Sequence, residues 1–286
     1  MVLFRFIPYA LVLVLTMVCQ VQAMAPEPMT VFVSIEPQAY FVERIAGDRV
    51  AVEVLVPPGK SPAIYSPNPS QMAKLAEAGL FFTIGVPFER SFMPKIKGAI
   101  KGLTIVDTTQ GIALRQFAGG GTDPHVWMNP ILVKRQAENI CNALCQVLPE
   151  SSDDFRANLQ LFQADLDHLD QNIATALGPV AGETIFVFHP VFGYFADQYG
   201  LIQMAVEVEG KAPKGRALAD FIKQARAEKA RVIFVQPQFD TRTADKIATA
   251  VNGVVIPLDP LARDYINNLT EMAQTIKRAF NQGTHD

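Results

Sequence analysis

The sequence predicts an α/β protein of two lobes with parallel sheets flanked by helices, joined by one long rigid helix. Three observations predict it. Strand-like apolar runs alternate with helix-like stretches in both halves of the 286 residues, the pattern of parallel strands connected by crossover helices. One helical face runs unbroken through the middle of the chain. A composition of 49% hydrophobic and 19% charged residues suits folded domains rather than disorder.

In the first half the strand-like runs are 30–34, 52–56, 80–84 and 103–106, with helices predicted over 39–46 and 70–78. The second half repeats the plan, with strands at 184–188, 203–208, 231–235 and 254–258 and helices at 192–199, 214–228 and 241–251. Between the halves, Phe155, Leu159, Phe162, Leu166, Leu169, Ile173 and Leu177 recur every three or four residues, as one face of a helix requires. Ser151 or Ser152 is the expected cap, Asp153 and Asp154 favour the helix start, and Gly178-Pro179 ends it. At about 1.5 Å per residue the helix is roughly 40 Å long, a stiff connection that predicts small hinge motions. The expected segments are 1–23 as a signal peptide, 24–150 as the first lobe, 151–179 as the linking helix and 180–286 as the second lobe.

Compartment follows from the first segment. Arg5 precedes an apolar run from Ala10 to Val18, and Val21-Gln22-Ala23 offers small or apolar residues at an exit site. This order predicts export to the periplasm with cleavage after Ala23; the apolar run is short of the roughly 20 residues of a membrane span. Cys19 is the rival lipoprotein cysteine, but Thr16-Met17-Val18 lacks the small residue expected just before it. Losing Arg5 takes the net charge from −3 to −4. There is no basic patch for nucleic acid or an anionic membrane. The chain has room for two domains, each with its own core. Cys141 and Cys145 lie one helical turn apart. They read as two small packed thiols; an oxidising compartment would allow a disulfide, and a thiol metal site lacks a third soft ligand nearby.

Histidine is scarce, with four in the chain. His168 reads as a surface residue of the long helix and His285 as part of a tail. His125 follows a glycine run in Gly119-Gly120-Gly121-Thr122-Asp123-Pro124-His125. His189 directly follows a predicted strand, and Asp259 takes the corresponding place after 254–258. Open α/β sheets bind ligands at the carboxyl ends of their strands. His125, His189 and Asp259 are therefore the candidate metal ligands, although a lone strand-end His or Asp is more often a satisfied polar group.

Longer motifs surround these three residues. Asp123-Pro124-His125-Val126-Trp127, His189-Pro190-Val191-Phe192-Gly193-Tyr194-Phe195 with Tyr199-Gly200-Leu201, and Leu258-Asp259-Pro260-Leu261 resemble motifs of the zinc- and manganese-type solute-binding proteins of ABC importers. Val56-Pro57-Pro58-Gly59, Glu209-Gly210-Lys211 and Gln236-Pro237-Gln238-Phe239 support the resemblance, which spans about 31–280. It implies a metal held between two α/β lobes, delivery to an ABC importer permease, and action as a monomer peripheral to the membrane, without enzymatic chemistry. The chain departs from the family pattern at Ala63, where a first His ligand is expected, and at Gln236, where Glu is common. The His-rich acidic loop of many zinc-specific members is replaced by residues 118–121.

Two imidazoles, one carboxylate and a water, Tyr65, Glu207 or another side chain could complete a four-coordinate zinc site. Ligand softness also admits manganese or iron. Asp123 is a candidate to orient His125, and binding is expected to weaken as the histidines protonate near pH 6. The same residues also fit a diverged binding protein with weak or no metal affinity, or a metalloenzyme with a two-His-one-carboxylate site.

Overall fold

The computed structural model describes residues 28–117, 119–207, 215–239 and 241–282. The signal segment with Cys19, the Glu209-Gly210-Lys211 stretch and His285 lie outside the described residues.

The chain runs β1 (Met29–Val33), α1 (Glu36–Ala46), β2 (Val50–Val54), α2 (Pro69–Ala76), β3 (Leu80–Thr83), α3 (Pro87–Ala99), β4 (Thr104–Asp107), α4 (Pro130–Val147) and α5 (Ser152–Leu177). It continues β5 (Thr184–Val187), α6 (Gly193–Tyr199), β6 (Ile202–Ala205), α7 (Arg216–Ala227), β7 (Val232–Val235), α8 (Arg242–Ala250), β8 (Val254–Pro257) and α9 (Tyr265–Gln282). Two all-parallel four-stranded sheets result, ordered β2-β1-β3-β4 and β6-β5-β7-β8. The two halves thus share one topology. In each sheet the direction of winding reverses between the two central strands, β1 and β3 or β5 and β7, which opens a crevice at their carboxyl ends. Central strands covered on both faces must be apolar throughout, and Val31, Phe32, Val33, Leu80, Phe81 and Phe82 are all buried.

The long helix α5 spans 26 residues. Phe155, Phe162, Leu166, Leu169, Ile173 and Leu177 are buried and His168 is exposed, as the spacing predicts. Its expected serine cap is not made: Ser151 has no capping side-chain bond, and the Ser152 hydroxyl donates instead to the Cys145 carbonyl at 3.5 Å. Asp153 and Asp154 remain in the first turn, where they complement the helix dipole.

The expectation of a separate core for each lobe is corrected. One continuous apolar cluster runs from β1 through α4 and α5 into β5 and α9, and a smaller cluster lies under α7 and α8. The reason is α9, which returns from the second lobe to pack on α5 and α1. Tyr265 meets Phe41 edge-to-face at 5.0 Å, and Phe41 stands 5.9 Å from Phe162. Each such fully buried aromatic ring contributes roughly 1.5–3 kcal/mol, so this seam resists separation of the halves. Arg263 adds a polar tie, donating to Glu36 at 2.8 Å and Glu43 at 2.5 Å on α1.

Helices α3 and α9 were not marked by the sequence patterns above. Cys141 and Cys145 are free thiols on α4, with sulfurs 3.9 Å apart; burial and the neighbouring Cys145 push the Cys141 thiol up to about 12. Among the described residues no helix is long and apolar enough to cross a membrane.

Candidate metal centre

His125 is placed by a short hairpin and the turn that follows it. Asp123 N donates to the Arg115 carbonyl at 2.9 Å, with Gln116 and Thr122 bridged one step further along. Pro124 restricts the backbone of Asp123, and a single 3-10 turn, Val126–Met128, carries the chain to Asn129. Asn129 then caps α4, accepting from Ile131 N at 2.8 Å. Inside this turn the Asp123 carboxylate accepts from both the backbone N and the ring Nδ1 of His125, at 3.0 and 2.7 Å. Ionised carboxylates only accept, so Nδ1 carries the proton and Nε2 presents the lone pair. Burial pushes the His125 pKa below the ordinary imidazole value, against the opposing pull of Asp123. The neutral, metal-competent form is thereby favoured.

His189 follows β5 at the switch point of the second sheet. Gln236, directly after the neighbouring β7, accepts from His189 N at 3.1 Å and donates to the His189 carbonyl at 3.4 Å. An amide can do both, which an ionised Glu could not. The ring of His189 stacks on Phe239 at 5.1 Å, and its Nδ1 lies 2.5 Å from Glu207 Oε2. Glu207 is itself buried at the end of β6. By the same reasoning as for His125, His189 keeps Nε2 for a ligand. The two rings meet edge-to-face with centroids 5.2 Å apart.

Asp259 follows β8. Its Oδ1 accepts from Gln238 Nε2 at 2.8 Å and Leu261 N at 3.0 Å. It lines a cavity of ≈ 340 Å³ together with Glu36, Pro58, Gly59, Gln238 and Arg263, from both lobes. The Asp259 loop is tied to the His125 loop, because Trp127 Nε1 donates to the Pro260 carbonyl at 2.8 Å and Tyr265 donates to the Trp127 carbonyl at 2.7 Å. The structure therefore brings His125 and His189 together. It does not gather Asp259 with them, and among the described residues no three His, Cys, Asp or Glu side chains form a group ready to hold a metal.

Ala63 is exposed on the loop before α2. The Tyr65 hydroxyl is taken up by Gln71 at 2.7 Å, and Glu207 faces a His nitrogen. The sequence named Glu207 only as a way to complete the site. Its place just past β6, the edge strand that pairs with β5 ahead of His189, is the signal for its orienting position. The contribution of Phe239 had no sequence signal beyond its motif.

A two-lobed α/β chain with two carboxylate-backed imidazoles side by side, one in the turn before α4 and one just after β5, has the architecture of a solute-binding protein. The profile of the ZnuA family, described as zinc-uptake complex component A, periplasmic, matches residues 31–279; the chain belongs to this family. It is 28% identical over 289 residues to the high-affinity zinc uptake system protein ZnuA of Yersinia pestis, with 85% of this chain and 88% of the relative covered. It also superposes on a crystal structure of ZnuA with a TM-score of 0.85 and 39% identity, covering 88% of this chain and 98% of that one. A zinc-bound ZnuA deletion mutant matches with a TM-score of 0.85, 40% identity and the same coverage.

Proposed function

We propose that this protein captures a divalent transition metal, zinc first among them, outside the cytoplasm and delivers it to an ABC importer permease. One observation carries the reading: His125 and His189 stand side by side, and each is held by a carboxylate on Nδ1. A carboxylate on the far nitrogen fixes ring orientation and raises ligand basicity. Zinc takes such nitrogens at roughly 2.0–2.1 Å, and manganese or iron is admitted by the same donor types. Asp259, which lines the cavity between the lobes apart from the two histidines, is the proposed third ligand and would be drawn to them on metal binding, with water filling what remains. Capture needs no bond-breaking chemistry.

The zinc uptake named for the Yersinia pestis relative and the zinc bound in the ZnuA deletion mutant support the choice of metal. The proposal includes export with cleavage after Ala23, a monomer peripheral to the membrane, and lobes at 24–150 and 180–286 joined by 151–179. Calorimetric titration tests the ligands. The mature chain is expected to take up one equivalent of zinc, and a His125→Ala/His189→Ala double variant none. Equal uptake by the two would place the metal elsewhere.

A further inference from the structure

Arg115 lies outside every motif described above, yet it sits where the two histidine-bearing segments meet. It faces Asp123 across the hairpin, and its backbone N donates to the Tyr194 hydroxyl at 2.8 Å. That hydroxyl donates in turn to the Asp123 carbonyl at 2.9 Å. The guanidinium stands over the Tyr194 ring at 5.6 Å, pairs with Asp197 on α6, and places Nε 3.6 Å from Asp123 Oδ2. Asp123 Oδ1 is already committed to His125. The Asp123 side chain is 2% exposed, so a positive charge beside Oδ2 offsets the desolvation of a buried carboxylate. Arg115 Nε is itself buried and makes no hydrogen bond; its interaction with Asp123 is one of charge. Tyr194 and Asp197 belong to α6, which begins four residues after His189.

Gly193 makes this approach possible. A Cβ there would lie 2.9 Å from both Arg115 Nε and Asp123 Oδ2, closer than real Cβ contacts occur, so either side chain would have to shift.

We infer that Arg115 is a positioning residue for metal capture: it anchors Asp123, and with it the His125 ring, to the helix that follows His189. The inference rests on the metal-binding reading of His125 and His189, but part of its test does not. Nitrogen-15 NMR of the metal-free protein at pH 8 reports the tautomer of each imidazole. In the parent chain both rings are expected as the Nδ1–H form. Arg115→Ala should give His125 a mixed tautomer while His189, held by Glu207, stays unchanged, and should weaken zinc binding roughly 10-fold or more, as loss of a partner behind a ligand does. Arg115→Lys should restore most of both. Gly193→Ala, which keeps the arginine but forces its side chain and that of Asp123 apart, should reproduce the His125 change, and it serves if Arg115→Ala does not fold. A His125 tautomer unchanged in Arg115→Ala, or in Gly193→Ala, would overturn the inference, as would equal change at His125 and His189, which signals general loosening. If the parent binds no zinc, the capture reading fails while the tautomer result still decides the place of Arg115.

Discussion

The rings of His125 and His189 meet edge-to-face at 5.2 Å, although 64 positions separate them in sequence and they reach the site from different lobes. Each ring is fixed from behind by a carboxylate from its own neighbourhood, Asp123 two residues away and Glu207 at the end of the adjacent strand. The pair is thus oriented before any metal arrives, and orientation before binding lowers the cost of capture.

Removing either carboxylate should therefore cost affinity without removing a ligand. Glu207→Ala is expected to weaken zinc binding about 10–100-fold. Glu207→Gln, which can still accept from Nδ1–H, should lose less. Calorimetry on the variants checks the order. A Glu207→Gln loss as large as that of Glu207→Ala would mean that the carboxylate acts through its charge or as a ligand itself.

Ala63 is exposed on the loop before α2, at the position where the motif resemblance leads one to expect a first His ligand. Ala63→His should supply a third imidazole and tighten zinc binding about tenfold or more, equivalent to at least ~1.4 kcal/mol. Equal affinity in a competition titration with a zinc chelator would show that this loop does not reach the metal.

Away from the metal centre, Glu89 is buried in the first turn of α3, and burial pushes its pKa up to about 7 from an ordinary 4.5 despite donors from Ser34, Ile84 N and Gly85 N. A carboxyl whose folded pKa is raised stabilises the fold fully below pH 4.5, and that contribution is lost as pH rises through about 7. Metal-free protein should lose on the order of 3 kcal/mol relative to Glu89→Gln between pH 4.5 and 8. Urea unfolding of both at several pH values measures it; parallel profiles would show that Glu89 is ionised throughout.

Much of this architecture is legible in the sequence because the signals are local and periodic. All eight strands fall within two residues of their expected starts, since a parallel strand covered on both faces is an apolar run. The linking helix follows from its three-and-four spacing. Helix α9 lacks so distinct a boundary signal, and its return to pack Tyr265 on Phe41 depends on tertiary contacts, so the shared core was not legible. At the site, motifs marked His125, His189 and Asp259. The hold of Gln238 on Asp259 and the charge of Arg115 beside Asp123 join residues distant or unmarked in sequence, and only the fold brings them into contact.

Zinc-edge X-ray absorption on the purified chain loaded with one equivalent tests the central claim most directly. The account predicts two imidazole nitrogens at roughly 2.0–2.1 Å, with oxygen donors completing the shell and no sulfur. A shell without imidazole scattering, or one built on the Cys141 and Cys145 sulfurs, would contradict it.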